Sequence, residues 1–475
     1  MSGSTVSSAF FRGGIKIKPI KHKTLLAALV LGVLLSLSNP FQLDTQRAFL
    51  FASLVMTIIL WATEAVHKSW ACVYLLVVFS LFGKTSPKDV VSFAWSNTML
   101  LIITTQILSV GIMNSGIIDG PVEQLMRKTS GKAFLTLLLP YLLGVALVFI
   151  IPQAFARVLI LGSIYDALLK ADNDKEDRAK QALIFNAFLG VTVTYMMFIG
   201  GDIVLNHAAV SFSGPQAQAA LTFLNWAKWM VVPTLVTSAI VLVLIRFLFA
   251  KDFDGYHAGM IVEKKQSQNQ LSRGKKLMTI LTMMIIIGFW MTESIHGIAP
   301  WIPAIGGLLV MSVMGLIKGK DFKSVNIHFL LFLTTAFSIG KVLGNSGITE
   351  EIFVHLEKLV PAASSPFYLP IIAITTMLLH MSIGSSVATM SVVLPIMVPM
   401  AVAAGFPPQL ITLTVYIMVN IHFLFPFHHA TLLIGSGRNY YDDRFMLKTG
   451  LVMTVVSLIL VFLLYMPWWN LTGLN

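Results

Sequence analysis

Four hydroxyl side chains, Ser385, Ser386, Thr389 and Ser391, crowd into Gly384-Ser385-Ser386-Val387-Ala388-Thr389-Met390-Ser391, inside an apolar stretch running from Pro366 to Ala404. Hydroxyls can hydrogen-bond the oxygens of an anion, or join the carbonyls of an interrupted helix in holding sodium. A helix that restarts after the break adds positive potential. Small residues also let helices pack closely, but hydroxyls gathered at a break, rather than strung along one helix face, favour a site. Ser385, Ser386 and Thr389 are therefore candidate contacts to an anion, and Gly384, Ser385 and Ser386 candidate ion ligands.

A second cluster reads Phe425-Pro426-Phe427-His428-His429-Ala430-Thr431. Pro426 should interrupt its helix and free carbonyls, while the two histidines offer hydrogen-bond donors and a titratable group. A structural hydrogen-bonding pair is the competing reading, and no third ligand at suitable spacing points to a metal. His428, His429 and Thr431 join the candidate anion contacts, and Ala430 the candidate ion ligands. The counterpart stretch, Gly200-Gly201-Asp202-Ile203-Val204-Leu205-Asn206-His207, adds Gly200, Gly201 and Asp202 as candidate ion ligands, with Asp202 balancing a cation or simply solvating a loop.

In a further apolar stretch, Ala133 to Leu169, the break is Pro152-Gln153-Ala154, and Arg157 follows five residues past the proline. An arginine at that depth needs a partner. Gln153 and Arg157 are candidate anion contacts. The guanidinium could grip an anion through paired hydrogen bonds, stand in for a sodium ion, or form an ion pair with Asp202. Glu64 and Glu293 precede a histidine in equivalent surroundings, and Lys341 also lies in or at the end of an apolar span; for the two acids helix-end anchoring is favoured over a proton relay. No Walker sequence, dinucleotide fingerprint or nucleophile elbow occurs, so neither ATP-driven transport nor enzyme catalysis is expected.

These residues need elements that hold them inside a membrane. Of 475 residues 56% are hydrophobic and 11% charged, against about a quarter charged in soluble domains. The chain reads as an all-α polytopic membrane protein, which excludes a cytosolic enzyme, a secreted domain and a disordered chain. Cys72 is the single cysteine, which leaves no disulfide framework or cysteine-built metal site. The net charge of +12 sits in short loops, as the positive-inside rule asks, and does not form a nucleic-acid surface.

Apolar spans are predicted at 25–37, 48–66, 70–83, 97–113, 182–199, 221–249, 277–295, 302–317, 327–343, 409–427 and 446–467, about eleven crossings. The first has no small-residue cleavage site after it and reads as a transmembrane helix rather than a signal peptide. Ala133–Leu169 and Pro366–Ala404 are too long for one crossing of about 30 Å and are broken midway, so both are predicted as re-entrant hairpins.

Internal similarity organises the rest. Trp61-Ala62-Thr63-Glu64-Ala65-Val66-His67 returns as Trp290-Met291-Thr292-Glu293-Ser294-Ile295-His296 (290 − 61 = 229), and Asn114-Ser115-Gly116-Ile117 as Asn345-Ser346-Gly347-Ile348 (345 − 114 = 231). The hairpin breaks Pro152 and Gly384 lie 232 apart, and Asn206-His207-Ala208-Ala209 matches His428-His429-Ala430-Thr431 (428 − 206 = 222). Each copy holds an odd number of crossings, so the second enters from the opposite side: an inverted repeat, with a midplane site where the copies meet. The predicted organisation is a basic tail at 1–24 carrying Arg12, Lys16, Lys18, Lys21 and Lys23, and a first helix and loop at 25–47. A first repeat follows at 48–250 with hairpin 133–170, then a linker at 251–276 and a second repeat at 277–475 with hairpin 366–404. Loop charge puts the N-terminus and the linker in the cytoplasm and the C-terminus outside a cell membrane.

Trp61-Ala62-Thr63-Glu64-Ala65, Ser385-Ser386-Val387-Ala388-Thr389 with Leu394-Pro395-Ile396, and Gly435-Ser436-Gly437 make the chain resemble the divalent anion:sodium symporter family of the ion transporter superfamily, nearly throughout after Thr24. The resemblance implies a Ser-Asn-Thr or Ser-Asn-Val triplet at each hairpin tip, where sodium and a carboxylate meet, and homodimers that move substrate by an elevator motion. Both tips depart from it. Ser386 replaces the asparagine, and Pro152-Gln153-Ala154 with Arg157 replaces the first triplet. The literal Ser96-Asn97-Thr98 precedes the fourth crossing instead. The expected function is secondary active transport, by alternating access, of a small di- or tricarboxylate-like or sulfate-like anion, coupled to sodium. Proton-coupled or exchange transport of another solute, and a non-transporting scaffold or sensor, are the alternatives. No cofactor is expected apart from sodium ions, and the expected partners are the anion, sodium or a proton, and the lipid bilayer.

Overall fold

The computed structural model describes residues 22–63, 65–261, 272–357, 365–425 and 428–474. Arg12, Lys16, Lys18 and Lys21 of the tail, Glu64, residues 262–271 of the linker and Pro426 lie outside the described residues. The chain is an all-α polytopic membrane protein, with seven described helices long and apolar enough to cross a membrane and shorter apolar helices between them. Large apolar side chains such as Leu81, Phe247, Val313 and Leu463 stand exposed on the outside, where a bilayer, unlike water, makes them comfortable.

The first three helices are α1 (His22–Ser38), α2 (Thr45–Thr63) and α3 (Lys68–Phe82). The first repeat continues as α4 (Asn97–Ser115), α5 (Asp119–Thr129), α6 (Ala133–Val148), α7 (Ala154–Leu168), α8 (Asp174–Thr194), α9 (Ile203–Phe212) and α10 (Phe223–Leu248). After α11 (Arg273–Met291) and α12 (Trp301–Val313) the same series returns as α13 (Ile327–Asn345), α14 (Ile348–Glu357), α15 (Tyr368–Ile383), α16 (Ser386–Ala403), α17 (Pro408–Ile421), α18 (Ala430–Gly437) and α19 (Asp443–Leu460). A π-helical turn carries α19 on towards Leu471. Even the start signals repeat. Ser96 accepts from the Met99 amide at 3.1 Å at the head of α4, and Asn326 from the Phe329 amide at 3.1 Å at the head of α13, each a side chain satisfying an otherwise orphan helix N–H. Ser96-Asn97-Thr98 is thus a helix start.

The pairs α6/α7 and α15/α16 are separated by breaks at residues 149–153 and 384–385. Gly384 takes φ 68°, a left-handed conformation that costs an L-residue about 1–2 kcal/mol, and Ser385 is extended before α16 begins. The span predicted at 182–199 is corrected. It is a longer element that begins at Asp174, behind the Asn173 cap, unwinds after Thr194 and resumes at Ile203 as α9. Gly200-Gly201 permits the unwinding, because a Cβ at Gly201 would collide with the Tyr195 carbonyl, and Asp202 restarts the helix by accepting from the Val204 and Leu205 amides at 3.0 and 3.3 Å. The counterpart α17 likewise stops at Ile421 and resumes at Ala430.

The copies exchange partners. Half-helix α9 of the first lies against hairpin arm α16 of the second, and α18 of the second lies against hairpin arm α7 of the first. Helices α1 to α3 share a separate apolar cluster with α13 and α14, through Leu50, Trp61, Cys72, Phe79, Ile339 and Leu343.

Candidate functional site

Four helices begin at one place. The N-terminal residues of α7, α9, α16 and α18 all line a single cavity of about 660 Å³, with Gln153 and Ala156 from the first tip, and Gly384, Ser385 and Ser386 from the second. Asp202 and Val204 come from one unwound crossing, and His428, Ala430 and Thr431 from the other. Helix N-termini carry unsatisfied N–H groups and a partial positive charge, so their convergence favours an anion. Neither Gln153, before α7, nor His429, before α18, caps its helix with a side chain, which leaves those amides turned to the cavity end.

The lining also takes in the start of α3 and of α13, with His67, Lys68 and Ser69 from one and Asn326 and His328 from the other, and Gln106 of α4. Ser69 Oγ and His328 Nδ1 stand 2.8 Å apart, and the His67 and His328 rings pack edge to face at 5.0 Å. Gln106 Oε1 is buried with no hydrogen-bond partner among the described residues. This basic wall was missed in the sequence, where Lys68 reads only as a loop charge; two histidines and a lysine at helix starts were the available signal.

Of the predicted contacts, Gln153, Ser385, Ser386, His428 and Thr431 line the cavity, as do the predicted ion ligands Gly384, Ala430 and Asp202. Others stand behind it. Thr389 turns away to donate to the Ser385 carbonyl at 2.9 Å. His429 sits between Thr431 Oγ1, 2.8 Å from its Nδ1, and Tyr195 Oη, 3.0 Å from its Nε2. Gly200 and Gly201 form the backbone of the unwound turn behind Asp202.

Arg157 is fully buried and does not reach the cavity. Its guanidinium donates to the Gly144 carbonyl at 3.3 Å and to the Gly201 carbonyl, and Nε has no partner among the described residues. The predicted Arg157–Asp202 ion pair is not formed: among the described residues no carboxylate oxygen lies within 4.0 Å of Arg157, because Asp202 is committed to capping α9.

At the second tip, Ser386 Oγ lies 2.9 Å from the Val419 carbonyl and 3.4 Å from that of His428. His380 and His422, which the sequence reading passed over, are fully buried beside it, their ring centroids 5.8 Å apart. His380 Nε2 lies 3.2 Å from the His428 carbonyl. Among the described residues no group of three or more His, Cys, Asp or Glu side chains is arranged to hold a metal ion.

Buried hydrogen bonds join the repeats behind the cavity. Thr192 and Thr431 hydroxyls are 2.7 Å apart, Tyr195 donates to Asn420, Asn420 Nδ2 donates to the Tyr416 carbonyl at 2.6 Å, and Tyr416 donates to Asn206 at 2.6 Å. Such a network is strong when every member is satisfied.

The family model described as the sodium:sulfate symporter transmembrane region matches residues 20–474. An uncharacterized transporter of Schizosaccharomyces pombe is 23% identical over 474 residues, covering 94% of this chain but 52% of the relative, so the chain spans about half that protein's length. A sodium-dependent dicarboxylate transporter, SdcS, of Staphylococcus saprophyticus is 21% identical over 471 residues, covering 92% of this chain and 90% of that one. Among solved structures, the Alcanivorax borkumensis YdaH transporter, reported with an unusual topology, superposes with a TM-score of 0.53 at 15% identity over 87% of this chain and 98% of its own, a likeness of fold.

Proposed function

The chain belongs to the sodium:sulfate symporter family, and on that premise we propose that it is a secondary active transporter of a small anion, coupled to sodium and working by alternating access. The observation that carries the reading is the meeting of four helix N-termini on one cavity. Buried peptide dipoles aimed at one point stabilise negative charge without a bound cofactor. The hydroxyl of Ser385 supplies a directed donor to an oxyanion oxygen, and Lys68 with His328 elsewhere on the lining complements a second negative group. That arrangement suits an anion with two charged ends or several oxygens, a di- or tricarboxylate or sulfate, in line with the dicarboxylate transporters among its relatives.

Sodium is assigned to the second tip, where the Ser385 and Ser386 region and Ala430 bring hydroxyls and carbonyls of unwound backbone together. Irregular backbone of this kind at membrane depth is where transporters coordinate cations. The hairpins and the two interrupted crossings form the unit that carries substrate, set against the wall of α3 and α13. The protein is placed in a membrane with its N-terminus in the cytoplasm and its C-terminus outside, acting as a homodimer.

Purified protein in proteoliposomes tests the reading: uptake and counterflow of succinate, citrate and sulfate, with and without an inward sodium gradient. Concentrative uptake of at least one of these anions that needs the gradient is the expected result. Exchange without sodium dependence would move the reading to an exchanger, and the absence of both uptake and counterflow would leave a transporter-like sensor.

A further inference from the structure

We propose that the first hairpin tip carries its own cation: the guanidinium of Arg157 permanently fills the place that a coupling ion would take in the first repeat, so that only the second tip is left for an exchangeable ion. This rests on the transport reading above and deepens it.

Three facts lead there. A full positive charge inside a membrane protein is costly and needs compensation, and here the nearest carboxylate, Asp202, acts on it only through space, without contact. Among the described residues no carboxylate lies within 4.0 Å of Arg157, Asp202 being turned to the amides of Val204 and Leu205, and the buried side chain is not part of the lining of the cavity where an anion would sit. What the guanidinium does meet is backbone carbonyl oxygen, from Gly144 in the first hairpin arm and from Gly201 in the unwound crossing. Carbonyls of a hairpin and of an unwound helix are the ligands that such transporters offer a sodium ion. Two glycines shape this nook, since a Cβ at Gly144 would strike Thr194 Oγ1 and one at Gly201 the Tyr195 carbonyl.

The repeat supplies an internal control. Carrying the 232-residue spacing of the two breaks forward, Arg157 corresponds to Thr389 (157 + 232 = 389). Thr389 is short and neutral, and its hydroxyl is satisfied locally by the Ser385 carbonyl. The two tips therefore differ by one fixed positive charge at equivalent places. That charge lies directly behind Gln153 and the start of α7, where it favours an anion in the cavity whether or not sodium is present, and it travels with whichever part of the protein carries the substrate.

The experiment compares wild type with Arg157→Thr, which makes the first tip like the second, Arg157→Ala and Arg157→Lys. The full chain in detergent is followed by 22Na binding stoichiometry and by thermal unfolding in sodium, guanidinium or choline chloride. Expected are one additional sodium ion bound per chain in Arg157→Thr, no additional ion in Arg157→Lys, and recovery of the thermal stability of Arg157→Ala by guanidinium but not by choline. These readouts do not require turnover, so failure of the transport reading is seen separately in the uptake assay. Equal sodium binding in wild type and a folded Arg157→Thr protein, with no guanidinium effect on Arg157→Ala, would overturn the proposal. So would loss of folding in the Ala, Thr and Lys variants alike, unrelieved by sodium or guanidinium, because it would make Arg157 a packing element whose charge is incidental.

Discussion

Tyr416 donates its phenolic proton to Asn206 Oδ1 at 2.6 Å, a buried bond between the second interrupted crossing and the half-helix that follows the first. Tyr195 and Asn420 repeat the arrangement in reverse, so each crossing holds the other where it unwinds. Tyr416→Phe leaves the Asn206 oxygen without this donor inside the protein, and a buried unsatisfied acceptor costs about 1–3 kcal/mol. A lowered unfolding temperature in detergent is expected for this variant. In a double-mutant cycle with Asn206→Leu the two losses should add to less than their sum; simple additivity would show that the bond contributes nothing of its own.

The hydroxyls of the second tip separate by orientation. Ser385 faces the cavity, whereas the Thr389 hydroxyl is spent on the Ser385 carbonyl. Ser385→Ala is expected to weaken anion binding by about 0.5–1.5 kcal/mol, roughly 2- to 13-fold, and Thr389→Ala to leave affinity unchanged while lowering stability. Binding isotherms with succinate or sulfate check both, and equal losses for the two variants would return both hydroxyls to the site.

Lys68 and His328 line the same cavity as the tips. Charge at a cavity wall raises the local concentration of an oppositely charged solute, and salt screens the effect over about 10 Å at 0.1 M ionic strength. Lys68→Gln should raise the apparent KM for a divalent anion at low ionic strength, with the difference from wild type shrinking as an inert salt is added. A difference independent of salt would mean that Lys68 acts by direct contact.

Outside the membrane-spanning segments, Asp89 bonds Ser86 Oγ at 2.7 Å and Lys341 Nζ at 3.0 Å. The serine hydroxyl first, and then the lysine ammonium, hold its carboxyl below the usual aspartate value of 3.8. A group with a depressed folded pKa stabilises above its unfolded value and loses that contribution as pH falls through the folded one. Asp89→Asn should therefore be less stable than wild type at neutral pH, with the gap closing below about pH 4. Thermal unfolding across that range is the check, and a gap that stays constant into acid would assign the loss to the hydrogen bonds alone.

Membrane class, the two hairpin breaks and the repeat were legible in the chain itself. Apolar length, helix breakers such as Pro152 and Gly384, and collinear motifs are local properties that survive translation into structure. Part of the cavity lining was legible too, Gln153, Ser385 and Thr431 among it, because residues at breaks are those whose backbone leaves the helix. What only the tertiary structure decided was direction. Arg157 points behind its tip, Thr389 away from the cavity, Lys68 and His328 into it, and His380 and His422 against the second tip. The unwinding at Tyr195 to Asp202, marked by two glycines and no proline, also emerged only with the fold. In water an amphipathic pattern tells which face of a helix is buried; in a bilayer the outward face is apolar as well, so the pattern is silent and the packing partners choose.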